Sequence, residues 1–234
     1  LKDTDMFDKG NSMRKVLFVA VHPDDETLGC GGTILRHAAS GDEIHWLIIT
    51  AINVENGWDK QRVELRQKEI AVISEAYGFS STQNLEFPTT MLDTIPMNDL
   101  ISAISNVIMK VEPGLVYLPN RSDIHTDHQT AFKAIVSCTK SFRYPFVKRT
   151  LMYECISETE FAPALSSDIF VPNVFVDISA FLEKKIEILE LYQSEQGEFP
   201  FPRSGENVRA LARFRGATAG VEAAEAFVSL KEIV

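Results

Sequence analysis

Lys15 to Gly32 reads KVLFVAVHPDDETLGCGG, and its two halves make opposite demands. Val16 to Val21 is a continuous apolar run rich in Val and Phe, the pattern of a strand buried on both faces of a parallel sheet. The run stops at His22-Pro23-Asp24-Asp25-Glu26. Pro23 has no N–H to give to a ladder and drives His22 from helical dihedrals, so the strand ends there. One imidazole and three carboxylates thus crowd the carboxyl end of a buried strand, the place where open α/β sheets bind ligands. Folding gives no reason to put that charge beside a core strand. A metal or catalytic site does.

The rest of the chain is compatible with an ordinary globular protein. Its 234 residues are 45% hydrophobic and 24% charged, enough for one large α/β domain. No low-complexity linker divides it, so a single domain over 14–234 is expected, after a loose tail at 1–13. A net charge of -10 argues against a nucleic-acid binder or a polybasic membrane anchor. No apolar stretch approaches the roughly 18 residues of a membrane span, and the first residues are polar rather than signal-like. Cys30, Cys138 and Cys155 are odd in number and far apart, which fits a reducing cytoplasm better than a disulfide framework.

Downstream, strand and helix patterns alternate. Helices are expected at 29–39, 58–77, 98–109 and from His128 to about 139, with strands at 43–50, 84–87 and 114–118. That alternation predicts a mostly parallel sheet with helices on both faces. The last third is less regular. It suggests strands at 149–155 and 173–177, a helix at 179–192 capped by Ser179, a loop at 196–205, a helix at 206–214, a break at 215–220 and a final helical turn.

A second cluster follows the strand at 114–118. There His125-Thr126-Asp127-His128 repeats the design of HPDDE, a strand end followed by imidazole and carboxylate. In a parallel sheet the two clusters fall on one edge. His22, Asp24, Asp25, Glu26, His125, Asp127 and His128 offer more than the three protein ligands that a catalytic Zn²⁺ or Fe²⁺ takes. The spares are what hydrolysis needs, a base for the water and an acid or oxyanion donor for the product. Alone, HxDH could be a plain helix start, with Asp127 as a first-turn carboxylate, and HPDDE an acidic turn. Two such clusters at two strand ends weigh against both. His37 and His45 sit within helix and strand patterns and read as structural. Gly29-Cys30-Gly31-Gly32 lacks the spacing of a dinucleotide loop and follows an acidic cluster that would repel a pyrophosphate. Cys30 reads as a small packing residue.

These motifs resemble the PIG-L/LmbE-like family of metal-dependent N-deacetylases. The resemblance rests on VHPDDETLGCGG (21–32) and HTDH (125–128). It extends through the R-x-x-E of Arg66 to Glu69, the K-x-x-x-L segment from Lys185 and the closing R-G…G…A-E-A-F (215–227). It implies a Rossmann-like α/β/α fold, with zinc on His22, Asp25 and His128 and with Asp24 as general base. It further implies that His125 steadies the oxyanion and helps protonate the leaving amine, that Asp127 orients His125, and that Arg66 belongs to the substrate pocket. The chain departs from the family pattern at Asp123, Tyr192, Glu195 and Pro88-Thr89-Thr90, all near the pocket. The PRS…RALARFRG segment (202–216) is of the type found in bacterial relatives acting on acetamido sugars. The expected substrate is therefore an N-acetylglucosamine-like sugar or conjugate, nucleotide- or carrier-linked forms included; a homo-oligomer is compatible with all of this. Two other readings stand beside it. One is a metal-dependent phosphoester hydrolase, against which the two histidine ligands and the lack of a basic phosphate pocket count. The other is a sugar- or metal-binding module without activity.

Overall fold

A computed structural model describes residues 13–234, so the tail expected at 1–13 lies, but for Met13, outside the described residues. The apolar run forms β1 (Lys15–Ala20), buried at five of its six positions. Then come α1 (Asp25–Ser40), β2 (Glu43–Ala51), α2 (Lys60–Tyr77), β3 (Ser81–Pro88), α3 (Met97–Val111), β4 (Leu115–Pro119) and α4 (Thr126–Ser137). The last third supplies β5 (Arg149–Tyr153), β6 (Val174–Asp177), α5 (Leu182–Leu189), α6 (Gly205–Ala219) and β7 (Ala224–Glu232). The seven strands form one sheet in the order β3-β2-β1-β4-β5-β7-β6, in which only β7 runs against the others.

Alternate residues of β1 feed opposite layers, as the two-residue period of a strand requires. Val16, Phe18 and Ala20 pack with residues of α1, α2, α5 and α6. Leu17, Val19 and Val21 pack with residues of α3 and α4. The chain leaves β1 toward β2 and β3 on one side and returns to β4 and β5 on the other, so the order reverses at β1. Val16, Leu17 and Phe18 of β1 pair in parallel with Leu115, Val116 and Tyr117 of β4, and both strands end at the same edge. That reversal point is where a doubly wound sheet opens a binding crevice.

The first correction to the sequence reading concerns α1. It begins at Asp25, four residues before the expected Gly29, so DETL is helix as well as the GCGG that follows it. Asp24 precedes it with φ 137°, a strained backbone for a residue with a Cβ. The glycines inside the helix are explained by contact. A Cβ on Gly29 would lie 2.9 Å from Glu154 O, and one on Gly32 would lie 2.7 Å from Ile178 Cβ. Cys30 is fully buried in the same layer, as expected of a packing residue.

The helix is also held from outside. Glu225 accepts from Gly32 N (2.9 Å) and Thr33 N (2.8 Å), while Lys185 Nζ donates to Leu28 O (2.8 Å) and to Glu225 (2.7 Å). Leu28 O and Gly32 N are i→i−4 partners in a regular helix; here a buried ion pair from α5 and β7 takes up both.

The other differences lie in the last third. The expected final helical turn is β7. Val221 to Ala226 is rich in helix formers, but the slot between β5 and β6 needs a strand, and tertiary pairing overrides local propensity. Ser179 does not cap α5; its hydroxyl donates to Asp177 Oδ1 (2.6 Å), and the helix starts at Leu182 and ends at Leu189. α6 continues through Arg215 and stops at Gly220, whose φ of 75° closes it. Among the described residues no helix is long and apolar enough to cross a membrane.

Lys185→Met leaves Glu225 buried without its partner and is expected to lower the unfolding free energy by about 3–5 kcal/mol in urea titration. Glu225→Gln added to Lys185→Met should recover part of the loss. Two independent, additive losses would mean that the ion pair does not hold α1.

Candidate active site

The two strand ends bring their clusters together. His22 and Asp25 follow β1, and His128 stands in the first turn of α4, after the loop that leaves β4. His128 Nε2 lies 3.3 Å from both His22 Nδ1 and Asp25 Oδ2, and His22 Nδ1 lies 4.0 Å from Asp25 Oδ2. Tetrahedral zinc with bonds of about 2.0–2.2 Å holds its ligand atoms about 3.3–3.6 Å apart; the two His128 separations match such an ion, and the His22–Asp25 separation is wider.

The far nitrogens support the same assignment. His128 Nδ1 is 2.8 Å from Asp123 Oδ2, and His22 Nε2 is 3.1 Å from Asp127 Oδ2. Each imidazole thus turns one nitrogen inward and gives the other to a carboxylate, the usual support for a metal-binding histidine. Asp123 is buried and further fixed by Asn120 Nδ2 (2.9 Å) and Thr159 Oγ1 (2.6 Å). Asp25 Oδ2 accepts from Val21 N (2.9 Å) and His22 N (2.8 Å). Burial alone would raise the Asp25 carboxyl, but the His128 and His22 imidazoles and these N–H groups hold it well below its usual range. Asp25 and Asp123 together outweigh burial at His128 and raise it well above the ordinary imidazole value.

His22, His125 and Asp127 form a second donor group. Its carboxylate is already occupied: Asp127 accepts from Thr90 N (2.6 Å) and Leu92 N (3.0 Å) besides facing His22. Asp127 is therefore a support for His22. The implied orientation of His125 by Asp127 runs instead through the backbone, where Asp127 N donates to His125 Nδ1 (3.1 Å) and makes His125 the N-cap of α4. With Nδ1 accepting, a neutral His125 ring carries its proton on Nε2. Burial, reinforced by His22 and His128, pushes His125 down to about 4, which keeps it neutral at pH 7.

Asp24 is buried at the cleft and its carboxylate Oδ2 accepts from Arg203 Nη1 (2.7 Å). Burial pushes the Asp24 carboxyl up to about 6, against the pull of Arg203. Arg203 also donates to Glu195 Oε2 (2.7 Å) and to Ser157 Oγ (2.9 Å). Sequence reasoning did not assign Arg203 a role, although it lies in the PRS segment singled out for its family character. Asp123 was noted only as a departure, and its position five residues before His128 was the available signal.

Arg66 lines the cleft, but its guanidinium is engaged by protein. It donates to Pro23 O (2.7 Å), to Ser194 Oγ (2.9 Å) and to Glu195 Oε1, and its Nε pairs with Glu69 at 3.1 Å. It holds the HPDDE turn in place. Glu26 faces inward, where Tyr192 Oη donates to it at 2.7 Å, so the tyrosine departure and this carboxylate form one buried pair behind the site. The cleft encloses about 220 Å³, with Trp58, Arg62, Thr90 and Glu158 around His22, Asp24, Asp25 and His125.

Comparison with known proteins agrees with this geometry. The chain is 27% identical over 222 residues to a diacetylchitobiose deacetylase of Thermococcus kodakarensis, covering 92% of this chain and 82% of that protein. Among solved structures, the conserved protein TT1542 of Thermus thermophilus superposes with a TM-score of 0.76 at 29% identity, covering 95% of this chain and 97% of that one. The fold is also shared by the 4-carboxy-2-hydroxymuconate hydratase GalB of Pseudomonas putida, with a TM-score of 0.69 at 19% identity over 95% of this chain and 98% of that one. Residues 17–139, just over half of the chain and the span that holds both clusters, match the PIG-L family, described as GlcNAc-PI de-N-acetylase, and the chain belongs to that family.

Proposed function

We propose that this protein is a metal-dependent N-deacetylase that removes the acetyl group of an N-acetylglucosamine-like sugar or sugar conjugate. The observation that carries the reading is the convergence of His22 Nδ1, Asp25 Oδ2 and His128 Nε2 at 3.3–4.0 Å, in a cleft that Asp24 and His125 also line. The hydratase shares the fold, so the fold by itself does not choose the reaction. The donor set and the deacetylase relative support this choice.

A divalent cation on those three donors, Zn²⁺ or Fe²⁺, supplies Lewis-acid polarisation and a more acidic water. The chain's own residues do the rest. Asp24, steadied by Arg203, takes a proton from the attacking water. His125 presents Nε2–H to the carbonyl oxygen as it gains negative charge, its ring fixed by the N-cap bond from Asp127. Expulsion of the amine needs a proton, which Asp24 returns or His125 relays. Arg66 keeps the HPDDE turn in register throughout. A cleft of about 220 Å³ is below the range of roughly 300–1,000 Å³ typical of drug-sized ligands, and suits one sugar ring better than an oligosaccharide. We assign the whole activity to one domain over 14–234 and place it in the cytoplasm, a reading supported by three buried, unpaired cysteines.

The test is acetate release by purified, metal-analysed protein on a panel of N-acetyl sugars and conjugates. Release is expected from at least one member and should vanish with chelator. Asp24→Asn should lower turnover by about 10²–10⁴ while metal content stays at wild-type level; loss of the metal would mean that Asp24 and Asp25 have exchanged roles. Asp123→Ala frees His128 Nδ1 and should weaken metal binding about 10–100-fold, measured by competition with a chromogenic chelator. Unchanged affinity there would remove Asp123 from the site.

A further inference from the structure

The cleft holds three arginines, and they differ in what their donors do. Arg66 donates to Pro23 O, Ser194 and Glu195 and forms an ion pair with Glu69. Arg203 spends its donors on Asp24, Glu195 and Ser157. Arg62, one helical turn before Arg66 on α2, makes no side-chain hydrogen bond among the described residues. Its one ion pair is a 3.7 Å approach to Glu195, whose two carboxylate oxygens already accept from Arg66 and Arg203. Arg62 is nonetheless not a loose surface cation. Its guanidinium carbon lies 5.3 Å from the centre of the Trp58 ring, and both side chains line the cleft.

Stacking on an indole restricts an arginine without consuming its N–H donors, so the planar fork stays ready for a bidentate acceptor. With its side chain 47% exposed, Arg62 stands at the cleft mouth, whereas Arg66 is 10% exposed. A ligand reaching past the acetamido ring would meet a preset guanidinium.

We propose that Trp58 and Arg62 form a subsite for an oxyanion, a phosphate or carboxylate borne by the group attached to the acetamido sugar. The proposal rests on the deacetylase reading and narrows its substrate class to anionic conjugates. Phosphate and carboxylate share the chemistry that a guanidinium fork recognises, and the two are separated by experiment.

Binding to the metal-loaded protein is measured by calorimetry for N-acetylglucosamine, N-acetylglucosamine 1-phosphate and an N-acetylglucosaminide of a hydroxycarboxylic acid, on wild type and on Arg62→Gln. Arg62 is half exposed on a helix surface, so the variant should fold, as circular dichroism will check. An anionic member should bind wild type about 10–100-fold more tightly than the neutral sugar, and Arg62→Gln should abolish that advantage while leaving the neutral sugar unaffected. Arg62→Lys should restore only part of it, since a point charge lacks the fork. The better of the two anionic members names the source of the oxyanion. Equal binding of neutral and anionic sugars, no binding by any of them, or a preference that survives Arg62→Gln would overturn the subsite. Acetate release on the same three compounds decides the deacetylase reading separately: a preference in binding without release would leave the subsite standing and sink the reaction.

Discussion

The site depends on one pairing, the parallel register of β1 and β4. Val16 beside Leu115 fixes both strands to end at the same edge, where His22 and Asp25 follow β1 and His128 follows β4. A shift of one residue would turn the alternating side chains of β1 to the opposite layers, so the two hydrophobic clusters enforce the register. Apolar burial thus sets distances among the polar atoms at the edge of the sheet. Pro23 and the strained Asp24 then let the chain leave β1 and enter α1 through a turn of only four residues, 21–24.

Keeping so many charges beside a buried sheet requires that each has a partner. Asp25 rests on two backbone N–H groups, Asp123 and Asp127 each support an imidazole, Asp24 meets Arg203, and Lys185 meets Glu225. These pairs are costly to desolvate and contribute position more than net stability. They converge on α1, the helix that presents Asp25. Residues that look unrelated in sequence, from Arg66 to Glu225, therefore act on one short stretch: Arg66 ties down its turn, and Glu225 with Lys185 ties its middle to α5 and β7.

Much of this was legible in the sequence because the signals were strong and local. A fully apolar strand cut off by HPDDE, and HTDH after a second one, foretold the parallel sheet and the meeting of the two clusters at one edge, while the choice of His22, Asp25 and His128 among seven candidates came from the family resemblance. Less was legible where the cause is non-local. The start of α1 was placed four residues late, at Gly29, and nothing in GCGG reveals that Glu154 and Ile178 press on the helix. Val221 to Ala226 reads as helix until the open slot between β5 and β6 is known. Arg203 and Asp123 act on residues brought near them by folding, and Asp127 serves His22, 105 positions away, rather than its neighbour His125.

Crystals of the protein soaked in zinc and measured at the zinc absorption edge test the central claim most directly. The account predicts one strong anomalous peak within bonding distance of His22 Nδ1, Asp25 Oδ2 and His128 Nε2, with Asp123 and Asp127 still on the far nitrogens. A peak on the His22–His125–Asp127 face instead, or no ordered peak in the cleft, would contradict it.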